Sequence, residues 1–286
     1  MKEIHRRKFL TKTIKGLGAA LALSQLPKQL FAGARAANMP VGFQTFPLRD
    51  ILAKDFPGTL KMMASQGYQL VEMCSPAGYV DSGFGPLVNM KTADMRKIIT
   101  DAGLSCPSCH FGAGQLFDKL DASIEFSQQL GLTQMICSTF WLPKTATLKD
   151  YQDSADKLNK AAEKIKQAGM QAGFHNHQFE FAQLEGQLIY DVLMSHFDPD
   201  LVKMQFQTEV INLGYKASTY FNKYPGRFIS AHLSDWSADK KQVPVGQGVI
   251  DWKEFFTAAK TGGVKNFFVE MDIDNFKDSA KYIHTI

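Results

Sequence analysis

Residues 173–180 read GFHNHQFE and place His175, His177 and Glu180 within six positions. Two imidazoles and a carboxylate at that spacing could bind a metal ion, hold a substrate or simply fill a core. Other groups of the same kind lie at or near the ends of short apolar runs: Glu72, His110, Gln207, His232 and Glu270. Taken together, the nitrogens of His175 and His232, a carboxylate of Glu270 and the amide oxygen of Gln207 can surround one divalent cation. The nitrogens suit Zn, Mn, Fe, Co or Ni, and the oxygens suit Mn or Mg as well. A set with one formal negative charge should hold Mg poorly, so Mn, Zn or Co is the expected ion. The same groups could instead line a polar pocket that binds sugar hydroxyls without a metal.

These residues need elements to bring them together. From about residue 40 onward, short apolar runs alternate with amphipathic stretches. Strands are predicted over 41–46, 70–74, 104–110, 133–138, 171–176, 202–207, 228–233 and 266–271. Helical stretches between them stop at Gly67, Gly103 and Gly131, and a long charged stretch from Leu148 is read as closed by Gly173. A helix stop followed at once by an apolar strand is the grammar of repeated helix–strand units. Eight strands, each followed by a helix, in about 250 residues predict a single-domain α/β fold, a closed (β/α)8 barrel. A doubly wound open sheet is the runner-up, but no G-x-G-x-x-G turn follows the first strand.

In such a barrel the chemistry collects at the C-terminal ends of the strands. His175 falls at the end of the fifth strand, Gln207 of the sixth, His232 of the seventh and Glu270 of the eighth. Glu72 sits near the end of the second and His110 at the end of the third. A barrel core has no use for so many polar groups. Glu72, His110, His177 and Asp235 are candidates for substrate contact. Asp235 could also orient His232 or cap a helix. Phe140, Trp141 and Trp236 could wall a sugar ring or simply pack. Gly246-Gln247-Gly248 is a turn and only weakly suggests a phosphate cradle.

The net charge of +4 is concentrated at one end. Residues 1–37 hold eight Lys or Arg against Glu3, a net +7, which leaves −3 for the rest. A basic nucleic-acid surface on the barrel is thereby excluded. The paired arginines of RRKFLTK, the short apolar GLGAALALSQL and the small residues of FAGARAA read as an export signal of the twin-arginine type, removed to leave 38–286 in the periplasm. No stretch is long and apolar enough to predict stable membrane insertion of the mature chain. Cys74, Cys106, Cys109 and Cys137 lie in or beside strand-like runs and are read as small buried hydrophobes. The C-x-x-C spacing of Cys106 and Cys109 leaves a redox pair or disulfide as the alternative. An oligomer is compatible with the sequence.

The motifs GFHNHQFEF (173–181), YPGRFISAHLSDW (224–236), VPVGQGVIDWKEFF (243–256) and FFVEMD (267–272) resemble the sugar phosphate isomerase/epimerase superfamily of xylose isomerase-like barrels, over roughly residues 40–286. The resemblance implies one divalent ion, held by Glu, Asp, His and Glu after the fifth to eighth strands. His232 and Glu270 match that pattern. His175 replaces the first Glu, as in a branch with an H-N-H motif, and Gln207 stands where the Asp would be. The implied activity is metal-dependent isomerisation or epimerisation of a sugar by proton abstraction next to a carbonyl, with the candidate catalytic residues Glu270 as one base and His175, Glu180 or His177 as its partner. Export favours an unphosphorylated sugar or keto-sugar as substrate. Because two ligands depart from the pattern, the alternatives are a keto-sugar or glycoside lyase or dehydratase, or a non-catalytic carbohydrate-binding barrel. An endonuclease is disfavoured by the acidic barrel.

Overall fold

In a computed structural model, residues 40–286 are described. Their eight longest parallel strands are β1 (Val41–Gln44), β2 (Leu70–Cys74), β3 (Ser105–Phe111), β4 (Gln134–Cys137), β5 (Gln171–His175), β6 (Val202–Gln207), β7 (Phe228–Leu233) and β8 (Asn266–Val269). Each pairs with the next, and β8 returns to β1 through Val41 opposite Phe267, so the sheet closes. Runs such as VGFQ and LVEMC are buried along their whole length, as expected for strands covered on both faces.

The eight longest α-helices among the described residues enclose the barrel: α1 (Phe56–Ser65), α2 (Thr92–Asp101), α3 (Leu120–Leu130), α4 (Leu148–Gln167), α5 (Ile189–His196), α6 (Ala217–Lys223), α7 (Trp252–Gly262) and α8 (Phe276–Ile283). The longest, α4, starts at a capping box. Thr147 Oγ1 accepts the Asp150 N–H, and an Asp150 oxygen accepts the Thr147 N–H at 2.7 Å. Its apolar stripe, Leu148, Ala155, Leu158, Ala162 and Ile165, is buried against the barrel. The stop for this helix is Gly169, at φ +84°, not Gly173. Gly173 lies inside β5, where a Cβ would come within 2.5 Å of Ile136 Cδ1. It is there for close packing, not for a turn.

The strand predictions fall within two residues of the observed ends, and those for β2, β6 and β7 match them. β1 stops at Gln44 because the Gln44 side chain accepts the Phe46 N–H at 2.7 Å and starts a 3-10 turn at Phe46-Pro47-Leu48. The four cysteines are free thiols. Burial pushes each thiol up, Cys106 to about 12, so none is primed for exchange. Outside the strands, aromatic rings carry much of the packing. Phe221 meets Phe206, Phe228 and Phe255 at centroid distances of 4.8–5.5 Å, and each buried ring is worth about 2–3 kcal/mol. Among the described residues no helix is long and apolar enough to cross a membrane. The predicted export signal at residues 1–37 lies outside the described residues.

Candidate active site

Side chains two apart on a strand share a face. Three strands use this to stack polar residues in pairs toward the barrel axis: Ser108 below His110, Gln205 below Gln207, and Ser230 below His232. Gln44 and Glu72 join the lower layer. Gln44, Glu72, Ser108, Gln205 and Ser230 are all fully buried, in a position that barrels usually fill with branched apolar residues.

Glu72 is the hub of that layer. Its Oε1 accepts from Ser108 Oγ at 2.5 Å and Gln205 Nε2 at 2.7 Å. Its Oε2 accepts from His232 Nε2 at 2.5 Å and Gln44 Nε2 at 3.2 Å, with His110 Nε2 at 3.3 Å. Gln205 is itself held, donating also to Ser230 Oγ at 2.9 Å and accepting from His110 Nε2 at 2.6 Å. The expectation that Glu72 contacts substrate is corrected: both its oxygens are taken by protein donors and neither reaches solvent. Gln44, Ser108, Gln205 and Ser230 were not singled out in the sequence. The signal for three of them was present, a polar residue two positions before each strand-end residue.

Above this layer lie the strand-end groups. The rings of His110, His175 and His232 have centroids 4.4–5.2 Å apart. Glu270 Oε2 meets His232 Nδ1 at 2.8 Å and accepts from Gln207 Nε2 at 2.6 Å. Glu270 keeps a side chain 19% exposed, the opening of the network toward solvent. Burial alone would push its carboxyl up, but the His232 imidazole beside it holds it below the usual range. Burial likewise raises Glu72, yet His110 and His232 hold it well below that range. His232 is the counterpart: burial disfavours its charge, and Glu270 and Glu72 outweigh this and raise its pKa to about 10. His175 is pushed well down, by burial first and then by the neighbouring imidazoles.

Other expected members lie apart from this network. Glu180 is buried in the turn Phe179-Glu180-Phe181, where its Oε2 accepts the His177 N–H at 2.7 Å. It lines a cavity with Tyr151, on the β4–α4 side. Burial raises its pKa to about 8, so it is protonated at neutral pH. His177 stands between the two regions. Its ring meets His175 edge-on at 4.8 Å and stacks on Phe179 at 5.1 Å, and burial lowers its pKa to about 4.

Asp235 is corrected from a substrate or His232 contact to a loop anchor. Its carboxylate accepts from the N–H groups of Trp236, Gly246, Gly248 and Ile250 and from Trp252 Nε1, at 2.8–3.4 Å. The Gly246–Gly248 amides are thus occupied by an internal carboxylate. A Cβ at Gly248 would lie 2.1 Å from Asp235 Oδ1, which is why glycine stands there. Of the expected aromatic wall, Phe140 is buried against Phe174 at 4.6 Å, whereas Trp141 is 75% exposed.

The residues fit a divalent ion. One ligand atom from each of His110, His175 and His232 lies within 4.8 Å of the others, and His175 Nδ1 is buried with no hydrogen-bond partner. Three imidazoles with a carboxylate at their edge suit Zn, Co or Mn. The expected ligand set included Gln207 and not His110. The Gln207 amide nitrogen faces Glu270, and its oxygen turns to the Glu209 N–H and Ser234 Oγ, both at 3.4 Å.

A closed parallel barrel with imidazoles and a carboxylate gathered at the strand ends defines a (β/α)8 protein with a polar mouth site. The chain belongs to the xylose isomerase-like TIM barrel family, whose model matches residues 60–285. No curated protein matches the chain. Among solved structures it is similar to a sugar phosphate isomerase/epimerase from Parabacteroides distasonis, at TM-score 0.76 and 22% identity over 91% of this chain and 98% of that one. It is also similar to the probable 3-DHS dehydratase AsbF from Bacillus anthracis (TM-score 0.66, 12% identity, 86% and 98% covered) and to the IolI protein with a binding zinc atom (0.64, 14%, 86% and 94%). At these identities the likeness is one of fold.

Proposed function

We propose that the protein is an exported, metal-dependent isomerase or epimerase of an unphosphorylated sugar or keto-sugar, acting by proton abstraction next to the carbonyl. The observation that carries this is Glu270: an ionised carboxylate at the mouth, beside the imidazole cluster, with access to solvent. Glu270 takes the proton from the carbon next to the carbonyl and returns it to the neighbouring carbon for isomerisation; epimerisation needs a second group on the opposite face of the sugar to return the proton. The His110–His175–His232 group would hold a divalent ion, which when bound supplies a Lewis acid for the sugar oxygens. Partly buried His177, neutral at pH 7, is placed to bind a hydroxyl. The Asp235 carboxylate on the Gly246 and Gly248 amides favours an unphosphorylated substrate, because the turn that could cradle phosphate is filled.

The test is a screen of keto-sugars with metal-reconstituted protein in deuterated water. Wild type should exchange the proton next to the carbonyl, and Glu270→Gln should lose about 10²–10⁴-fold in that rate. Exchange that survives in Glu270→Gln and His232→Ala would sink the proposal.

One observation favours a second reading. Glu270 is the ionised carboxylate of the network that reaches the mouth, since Glu72 is sealed and Glu180 is protonated. A single base suits β-elimination, in which one proton is removed and a leaving group departs with another. An unsaturated product instead of an isomer would select this lyase or dehydratase reading. The export route is tested separately: replacing Arg6 and Arg7 by Lys should leave the protein in the cytoplasm, and unchanged periplasmic recovery would remove that part of the proposal.

A further inference from the structure

The buried layer beneath the mouth has no contact with substrate, yet its hydrogen bonds are directional. The Gln205 amide gives both its N–H groups to acceptors, Glu72 Oε1 and Ser230 Oγ, so its oxygen must be the atom that faces His110 Nε2. His110 Nε2 therefore carries a proton. His232 bridges two carboxylates, Nε2 to Glu72 Oε2 and Nδ1 to Glu270 Oε2, so both of its nitrogens donate and it offers no tautomer to select. In the third ring of the cluster, His175, Nδ1 is left without a partner. In every case for which a partner is identified, the lower layer takes Nε2.

We propose that Gln205, itself oriented by Glu72 and Ser230, is a positioning residue that fixes which nitrogen of His110 keeps the lone pair: Nε2–H is held by the Gln205 oxygen and Nδ1 is left free to accept or ligate. The chemistry requires such a device. A neutral imidazole offers one lone pair, and the hydrogen bond made by the other nitrogen decides which one it is. Glu72 cannot be merely a core filler. An ionised carboxylate costs several kcal/mol to bury and is tolerated only where donors surround it, as five side chains do here. This inference uses the metal reading only for its functional consequence; the tautomer assignment stands on the hydrogen bonds.

The test separates the two. Long-range nitrogen–proton correlation spectra of metal-free protein labelled in histidine report the protonated nitrogen of each ring, with His110→Ala and His232→Ala used for assignment. Wild type should show His110 protonated at Nε2 only. Gln205→Glu, which keeps an acceptor, should preserve that signature, and Gln205→Leu should scramble it. Titration with Co(II) is the second readout: Glu72→Gln should bind about 10–100-fold more weakly than wild type, while urea unfolding confirms that the variant is folded. His110 protonated at Nδ1 in wild type, or Gln205→Leu and Glu72→Gln spectra identical to wild type, would overturn the positioning role whether or not cobalt binds. Failure of wild type to bind cobalt, with the Nε2 signature intact, would overturn the metal reading alone.

Discussion

Glu72 and Glu180 are both sealed from solvent, and they sit in opposite charge states. Glu72 lies on the barrel axis among imidazoles and three further donors, and stays ionised. Glu180 lies under the loops after β4 and β5, beside a cavity of about 320 Å³ lined by Trp141, Tyr151 and Phe179, and burial keeps it protonated. One main-chain N–H is its hydrogen-bond donor. Burial alone therefore does not set the charge of a carboxyl here. The count and charge of the donors around it do. The axis is a place where charge is stored, and the β4–β5 loops are a place where it is suppressed.

The largest expected effect comes from removing the stored charge. Glu72→Leu keeps most of the volume but leaves His232 Nε2, Ser108, Gln205 and Gln44 without their acceptor. Breaking a buried, hydrogen-bonded charge cluster costs about 3–5 kcal/mol. Urea unfolding at pH 7 should show a loss of that size. A loss below about 1 kcal/mol would mean that the axis network behaves like a surface ion pair, and the contrast with Glu180 would collapse.

Glu180 predicts the opposite sign. Its folded pKa of about 8 is raised above its ordinary value of 4.5. The folded state therefore binds the proton more tightly than the unfolded state. The resulting stability is fully present below about pH 4.5 and is lost as pH rises to about 8. Glu180→Gln keeps the acceptor for the His177 N–H and cannot ionise. Near pH 4.5 the variant and wild type should be nearly equal. At pH 8 the variant should be more stable by roughly 2–4 kcal/mol. Parallel stability curves for the two proteins from pH 4.5 to 9 would show that Glu180 is ionised in the fold after all.

The same contrast explains what could be read from the sequence. All eight barrel strands were legible, because each is a short apolar run, several of them opened by a helix-stopping glycine, and the helix stops at Gly67, Gly103 and Gly131 all have positive φ. The gathering of His110, His175, His232 and Glu270 at the mouth followed from their position at strand ends. The layer beneath was not legible as a unit. Joining Glu72 of β2 to Gln205 of β6 needs the closure and register of the whole barrel, 133 residues apart in the chain. Loop residues were the hardest. Nothing local in GFHNHQFE says that Glu180 turns back onto its own turn, and nothing in HLSDW says that Asp235 reaches forward to residues 246–252. Short-range spacing misleads for both, because the loops bend the chain away from the strand's alternation.

Asp235 supplies a third case, between the other two. It is buried like Glu72 and Glu180, but its partners are neutral: four main-chain N–H groups and one indole N–H. If donor number by itself can hold a carboxylate, Asp235→Asn should hurt although the shape is nearly unchanged. The new amide nitrogen would face N–H donors and could accept from none of them. The expected loss is about 1–3 kcal/mol, smaller than at Glu72 because no opposite charge is stranded. It should also be local. Hydrogen exchange at Gly246, Gly248 and Ile250 should accelerate, while amides of β4 and β5 keep their wild-type rates. Uniform acceleration throughout the barrel would show that the loop and the barrel open together, and that Asp235 holds more than its own turn.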